Sequence, residues 1–130
     1  MQKCEAQKLP GDAYSKRIRA RFWIVTEKGE GYLGIGRITL LENIDRFGSI
    51  NRAAKEMGMS YKKAWKLVED MNKLTVEPLV LSEKGGKAGG GTIITPLGKA
   101  YIKQFHTLDL RLRAFLESES GYFDDIKVRH

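Results

Sequence analysis

The sequence predicts an α+β fold, mainly helical, and three observations support this. Residues 48–72 show the pattern of two short amphipathic helices around a tight turn. Residues 79–94 show two short apolar strands around a glycine-rich connection. Thr95-Pro96 is a helix start, and the helical pattern after it runs to about Ser118. Helix, turn, helix, hairpin and long helix in this order predict a winged helix-turn-helix.

The N-terminal part predicts a flexible tail over residues 1–16 and then a β-hairpin. From residue 17 onward basic and apolar side chains alternate with the period of two that is typical of a half-buried strand. Ile18, Ala20, Phe22 and Ile24 share one face, and Arg17, Arg19, Arg21 and Trp23 share the other. A turn at residues 27–30 leads to a returning strand at residues 31–33.

Three helices are predicted next, each with its own start or stop signal. Residues 35–47 place Ile38, Leu40, Leu41 and Ile44 on one face, and Gly48 ends this helix. Ser49 caps a short helix with Ala53, Ala54 and Met57 facing inward, which Gly58 ends. Ser60 caps a helix that runs to about Leu74. We expect one domain over residues 17–120 and a C-terminal tail over residues 121–130.

The positive net charge of the chain indicates which class of partner it binds. The formal net charge is +7, and residues 1–28 alone hold seven basic and three acidic side chains. A basic balance favours polyanions, meaning nucleic acid or an acidic membrane surface. No apolar run approaches the roughly 18 residues that span a bilayer, and the N-terminus has no signal-peptide core. The single cysteine, Cys4, cannot form an internal disulfide, which fits a reducing cytoplasm.

The helix over residues 60–74 has cations where stability favours acids. A helix N-terminus carries unpaired N–H groups and a partial positive charge, so Asp or Glu suits its first turn. Here Lys62 and Lys63 occupy the second and third positions, and Lys66 and Lys73 continue the basic face. A solvated face is the alternative interpretation. Because an arriving anion would meet dipole, N–H groups and ammonium groups together, we predict that this helix enters the DNA major groove.

The predicted DNA contacts cover both helices of the motif and the hairpin. They are Ser49, Arg52, Ser60, Tyr61, Lys62, Lys63, Trp65 and Lys66, with Lys84 and Lys87 on a wing at residues 82–92 that contacts the backbone. Three of these have alternatives. Tyr61 lies on the apolar arc, so the core is preferred to DNA contact. Trp65 lies at the border between packing and DNA contact, and Ser60 either only caps the helix or also contacts the DNA backbone.

Motifs for other chemistry are incomplete. The stretch EKGGKAGGGT lacks the spacing of a phosphate-binding loop. A wing is the preferred interpretation of this stretch, and a flexible hairpin loop without DNA contact is the alternative. GIGRIT has Thr39 where a dinucleotide fingerprint needs its third glycine. His106 and His130 have no Cys, Asp or Glu at ligand spacing, and no nucleophile motif occurs. We therefore expect no enzyme, no metal site and no cofactor.

The long C-terminal helix carries more apolar surface than one core contact needs. Its seam repeats at heptad spacing through Tyr101, Phe105, Leu108, Leu112 and Phe115. The alternative is that this stripe packs on the protein's own core. We expect a two-fold homodimer through the seam, which would place two recognition helices about one DNA turn apart and predicts a palindromic operator.

Four short motifs of the chain resemble those of a known protein family. The pieces G-S-I-x-x-A-A, M-S-Y-K-x-A-W, GGKxGGG and T-P-x-G, within residues 33–115, resemble the DNA-binding domain of ModE-type molybdate-responsive regulators. A more distant similarity is to the winged helix of LysR-type regulators. The resemblance implies a DNA-binding homodimer that reads DNA with the helix from Ser60. It also implies a single-domain member without molybdate-binding domains, so we expect no molybdate binding within this chain.

Three function classes follow, in order of preference. The first is a sequence-specific, dimeric, cytoplasmic transcriptional regulator. The second is a sequence-tolerant architectural nucleic-acid-binding protein, whose binding would fall steeply with salt. The third is an enzyme or nucleotide-binding protein, which a nucleotide thermal-shift screen would detect.

Overall fold

The computed structural model of the chain describes residues 11–29, 33–82 and 91–124, which form a mainly helical α+β structure. Its helices are α1 (Ile35–Phe47), α2 (Ile50–Glu56), α3 (Tyr61–Asn72), α4 (Pro96–Glu119) and α5 (Gly121–Asp124). Its strands are β1 (Asp12–Ala13), β2 (Arg19–Ala20), β3 (Val80–Ser82) and β4 (Thr92–Ile94), paired β1 with β2 and β3 with β4. Two compact units result, one from residues 23–105 and one from residues 1–22 with 106–130.

Helix α1 supplies the largest share of the core of the first unit. Ile38, Leu40, Leu41 and Ile44 are fully buried, as the helical periodicity predicts. The helix ends as predicted at Gly48, whose φ of 66° is left-handed and whose N–H donates to the Ile44 carbonyl at 2.7 Å. Sterically this conformation suits glycine, because other residues strain there.

Helices α2 and α3 are joined by a tight turn, and both predicted serine caps are present. The Ser49 hydroxyl accepts from the Arg52 N–H at 3.1 Å, and the Ser60 hydroxyl accepts from the Lys63 N–H at 3.0 Å. Between them Gly58 takes the left-handed conformation with φ of 67°. The inner faces are small, with Ala53, Ala54 and Ala64 buried, so the two helices pack closely.

The hairpin β3–β4 is antiparallel, with Val80 opposite Ile94 and Leu81 opposite Ile93. Val80 and Ile94 are buried, whereas Leu81 and Ile93 lie exposed on the outer face. The Thr92 N–H donates to the Gly48 carbonyl at 3.3 Å, which ties β4 to the end of α1. The predicted wing tip falls on residues 83–90, outside the described residues.

Thr95 starts α4 as predicted and also joins it to the hairpin. Its hydroxyl donates to the Pro78 carbonyl at 2.9 Å and accepts from the Gly98 N–H at 3.0 Å. Its own N–H donates to the Leu79 carbonyl at 3.0 Å. The Thr95 side chain is buried, and these bonds give its polar atoms protein partners.

The N-terminal region differs from the prediction. The residues before position 16 are not all tail, because Asp12 and Ala13 form β1 against β2 and Tyr14 is buried. The alternation is confirmed, since side chains 17–26 are alternately exposed and half-buried. Residues 31 and 32 of the predicted returning strand lie outside the described residues, and its last residue, Leu33, forms an antiparallel bridge with Ile24 at N–H···O distances of 2.8 and 3.0 Å.

Within the unit of residues 1–22 and 106–130, Tyr14 is the main anchor of β1 to α4. The Tyr14 hydroxyl donates to Asp109 at 2.6 Å, and the Arg113 guanidinium lies 4.7 Å from the Tyr14 ring centroid. Arg113 also donates to the Ala13 carbonyl at 3.1 Å. Past α4, residues 121–124 form α5, and the rest of the predicted C-terminal tail lies outside the described residues. In the described part of the chain, no helix combines the length and the apolar character needed to span a bilayer.

Candidate nucleic-acid interface

Helix α3 separates its inner and outer faces sharply. Ala64, Val68 and Met71 are buried at spacings of four and three, and the outward side chains of the first two turns are exposed. The first turn contains no acidic residue. Its N–H groups and the helix dipole therefore face outward with no protein carboxylate in the first turn to balance them.

The three lysines of this helix's first two turns do not share one electrostatic environment. Lys66 lies 3.4 Å from the Asp70 carboxylate one turn later, an exposed ion pair. Lys62 and Lys63 are exposed and form no ion pair with any residue that the structure describes. An exposed pair such as Lys66–Asp70 is weak and exchanges readily for another anion. The uncompensated charge is therefore concentrated at the N-terminal end of α3.

Two aromatic side chains stand among these lysines. Tyr61 is 51% exposed and Trp65 is 42% exposed. The preference for Tyr61 in the core is therefore wrong. Tyr61 is the first residue of α3, and the buried face of the helix begins one turn later, at Ala64. Aromatic rings next to ammonium groups suit nucleic acid, since they offer apolar contact to bases and sugars.

A second basic group lies between α1 and α2. The guanidinium carbons of Arg46 and Arg52 lie 5.1 and 4.7 Å from the ring centroid of Phe47. Both arginines are exposed, and the ring is half-buried. Of the three, the sequence singled out only Arg52. The available signal for Arg46 and Phe47 was an arginine directly before a phenylalanine at a helix end. Ser49 is engaged as the cap of α2.

The remaining predicted residues fall in three places. Lys84 and Lys87 lie outside the described residues. Phe105 is only 2% exposed within the single chain, so its place in an open dimer seam is a correction: it is a core residue. In the other unit, Leu108 and Phe115 are 47% and 58% exposed, and Leu112 is partly exposed. Tyr101 is partly exposed as well.

Comparison with known proteins gives relatives for most of the chain, although no protein-family model matches it. It is 40% identical over 110 residues to the molybdenum transport protein ModE of Azotobacter vinelandii, covering 85% of this chain and 40% of that protein. It is 41% identical over 95 residues to the molybdenum-pterin-binding protein MopB of Rhodobacter capsulatus, covering 73% and 35%.

A third relative carries a regulator's name. The chain is 41% identical over 80 residues to the DNA-binding transcriptional dual regulator ModE of Escherichia coli, covering 61% of this chain and 30% of that protein. It thus spans 30–40% of the length of these three relatives. Their names describe regulators and molybdenum-binding or transport proteins rather than enzymes. The resemblance indicated by the sequence motifs is confirmed: this chain is a homologue of the ModE and Mop proteins.

Proposed function

We propose that this chain is a sequence-specific DNA-binding transcriptional regulator. The observation that carries the proposal is the N-terminal end of α3. There Lys62 and Lys63 are exposed and unpaired with any described carboxylate, and Tyr61 and Trp65 stand beside them. The names of the ModE relatives support a regulator's role.

In this proposal the fold acts as a winged helix-turn-helix. Helix α3 enters the major groove with its N-terminal end first, where its lysines reach guanine acceptors and phosphates. The hairpin over residues 82–92 acts as the wing on the backbone, with Lys84 and Lys87 supplying charge. Arg52 and Ser49 approach the backbone beside it. The protein works in the cytoplasm.

The proposal includes a homodimer through α4. The exposed apolar side chains Leu108 and Phe115 support this, because a lone helix gains nothing by exposing them to water. Leu112 and Tyr101 extend the same seam, whereas Phe105 supports α4 from inside. A two-fold axis would place the two copies of α3 on two half-sites of a palindromic operator.

Selection from genomic DNA tests this function directly. Purified protein is mixed with fragments of its own genome and excess competitor DNA at physiological salt, and the retained fragments are sequenced. We expect a few sites that share an inverted repeat. Retention without a shared sequence would support the architectural alternative instead, and retention of no fragment would contradict DNA binding.

Molybdate binding is expected to be absent from this chain, although the Mop relatives are named for molybdenum-pterin binding. Calorimetric titration with molybdate checks this, with tungstate as the matched oxyanion and sulfate as the control. A saturable heat with molybdate, absent with sulfate, would contradict the expectation.

A further inference from the structure

The end of α1 holds two cations on one aromatic ring. The Phe47 ring has the Arg52 guanidinium carbon 4.7 Å from its centroid and the Arg46 guanidinium carbon 5.1 Å from it. Each arginine satisfies the distance of a cation–π contact. Both guanidinium carbons therefore lie within 5.1 Å of one ring centroid, and an anion bound beside this ring would be attracted by both positive charges.

No carboxylate of the described residues compensates these charges. Neither Arg46 nor Arg52 forms an ion pair within the part of the chain that the structure describes. Both side chains are exposed and the ring is half-buried, so the guanidinium groups have access to solvent while their stems are supported. Two exposed guanidinium groups on one ring, with no ion-pair partner among residues 11–29, 33–82 and 91–124, have the composition of an anion site.

The position of the group places it within the DNA-binding surface proposed above. Gly48 follows Phe47 directly, and its carbonyl accepts from the N–H of Thr92, the first residue of β4. Ser49 follows and caps α2 through the Arg52 N–H. The two arginines therefore flank the short link at which α1, α2 and the start of β4 meet.

We propose that Arg46 and Arg52, positioned by the ring of Phe47, jointly bind one backbone phosphate of DNA. This inference rests on the proposed function and adds Arg46 and Phe47 to its surface. The planar guanidinium presents a fork of N–H donors that matches phosphate oxygens, which an ammonium group does not. The ring restricts both side chains before DNA arrives, so less conformational entropy is lost on binding.

The salt dependence of binding tests whether the arginines share one phosphate. The slope of log K against log salt falls by about 0.9 for each phosphate contact that is lost. We expect Arg46→Gln and Arg52→Gln each to lower the slope. We expect the double variant to lower it by about 0.9 in total rather than by twice that amount, with the preferred sequence unchanged. Lys55→Gln, at the other end of α2, is the matched control and should leave the slope unchanged.

Variants of Phe47 separate positioning from packing. Phe47→Tyr keeps an aromatic face and should keep the wild-type slope and affinity. Phe47→Leu should lower the slope as the arginine variants do, while thermal unfolding in the absence of DNA shows that the protein is folded. A Phe47→Leu protein with a wild-type slope would remove the positioning role.

The outcomes distinguish this inference from the function on which it rests. Wild-type protein that binds its site, together with an unchanged slope in the Arg46→Gln, Arg52→Gln double variant, would overturn the phosphate site alone. Wild-type protein that retains no DNA would overturn both. Inorganic phosphate at matched ionic strength is the second arm. If it stabilises wild type but not the double variant while the DNA slopes agree, the pair binds free anion and the DNA proposal is wrong.

Discussion

The side chain of Asn72, the last residue of α3, bonds the main chain of Val80, the first residue of β3, in both directions. Its Nδ2 donates to the Val80 carbonyl at 3.0 Å, and its Oδ1 accepts from the Val80 N–H at 3.1 Å. The same oxygen accepts from the Leu79 N–H at 2.8 Å. One amide therefore fixes the hairpin against the helix that is proposed to read DNA.

Removing this amide should destabilise the protein and displace the hairpin. Asn72→Ala leaves the Leu79 and Val80 main-chain groups without their partner in a partly buried place. We expect a loss of about 1–3 kcal/mol in the free energy of unfolding. Urea titration measures it, and Lys73→Ala is the exposed neighbouring control, expected within about 0.5 kcal/mol of wild type. Equal stability of both variants would show that water replaces the amide.

Charge reversal at the start of α3 should separate stability from binding. Lys63→Glu places an acid three residues after Ser60, which completes a capping box, and should stabilise the fold by about 0.3–1 kcal/mol. Together with Lys66→Glu it should abolish DNA binding with nearly unchanged melting temperature. Lys73→Glu makes the same charge change beyond the end of the helix and should weaken binding less. A folded Lys63→Glu, Lys66→Glu protein that still binds its site would remove α3 as the recognition helix.

Two glycines should respond to alanine in opposite directions. A Cβ at Gly98 would lie 2.6 Å from the Leu79 carbonyl oxygen and 2.7 Å from Ile94 Cγ2, so Gly98→Ala should cost about 1–3 kcal/mol. A Cβ at Gly36, in α1, would meet nothing within 4 Å, so Gly36→Ala should stabilise by about 0.5–1 kcal/mol. Thermal unfolding measures both. A stable Gly98→Ala variant would mean that β3 can move away from α4.

Alkaline pH should destabilise the protein through ionisation of the Tyr14 phenol. Burial, then the hydrogen bond to Asp109 and its negative charge, raises the pKa of Tyr14 from 10.0 to about 12, against the opposing charge of Arg113. The folded state thus favours the protonated phenol. Its contribution to stability is complete below pH 10 and is lost as the pH rises towards 12.

Comparison with Tyr14→Phe isolates this effect. Phenylalanine cannot ionise, so the free energy of unfolding of the Tyr14→Phe protein should fall less between pH 10 and 12 than that of the wild-type protein. Unfolding free energies of both proteins across that interval measure the difference. Parallel curves would show that Tyr14 titrates as it does in the unfolded chain.

Local signals predicted most of the fold because they act over a few residues. The caps Ser49, Ser60 and Thr95 and the stop at Gly48 depend on hydrogen bonds within one turn, and each is where the sequence indicates. The buried face of α1 follows from periodicity alone. Alternation after residue 17 likewise predicted the faces of that segment, but not the pairing of β2 with β1, since a period of two does not encode which strand pairs with it.

The features that the sequence missed depend on contacts between elements. Asn72 looks like an ordinary polar residue at a helix end, and only the position of Val80 gives it a role. Tyr61 lies on the apolar arc of a helical wheel, but a wheel does not show where the neighbouring core stops. Arg46 and Phe47 become a group only when Arg52, on the next helix, reaches the same ring.

Thr95 couples the fraying of the first turn of α4 to the release of the hairpin. Its hydroxyl accepts from Gly98 in the first turn of α4 and donates to the carbonyl of Pro78, two residues before β3, so fraying of the helix start would also release the base of the hairpin. Such shared bonds join neighbouring segments into one cooperative opening unit. Any contact that tightens the first turn of α4 therefore also tightens the hairpin, without touching it.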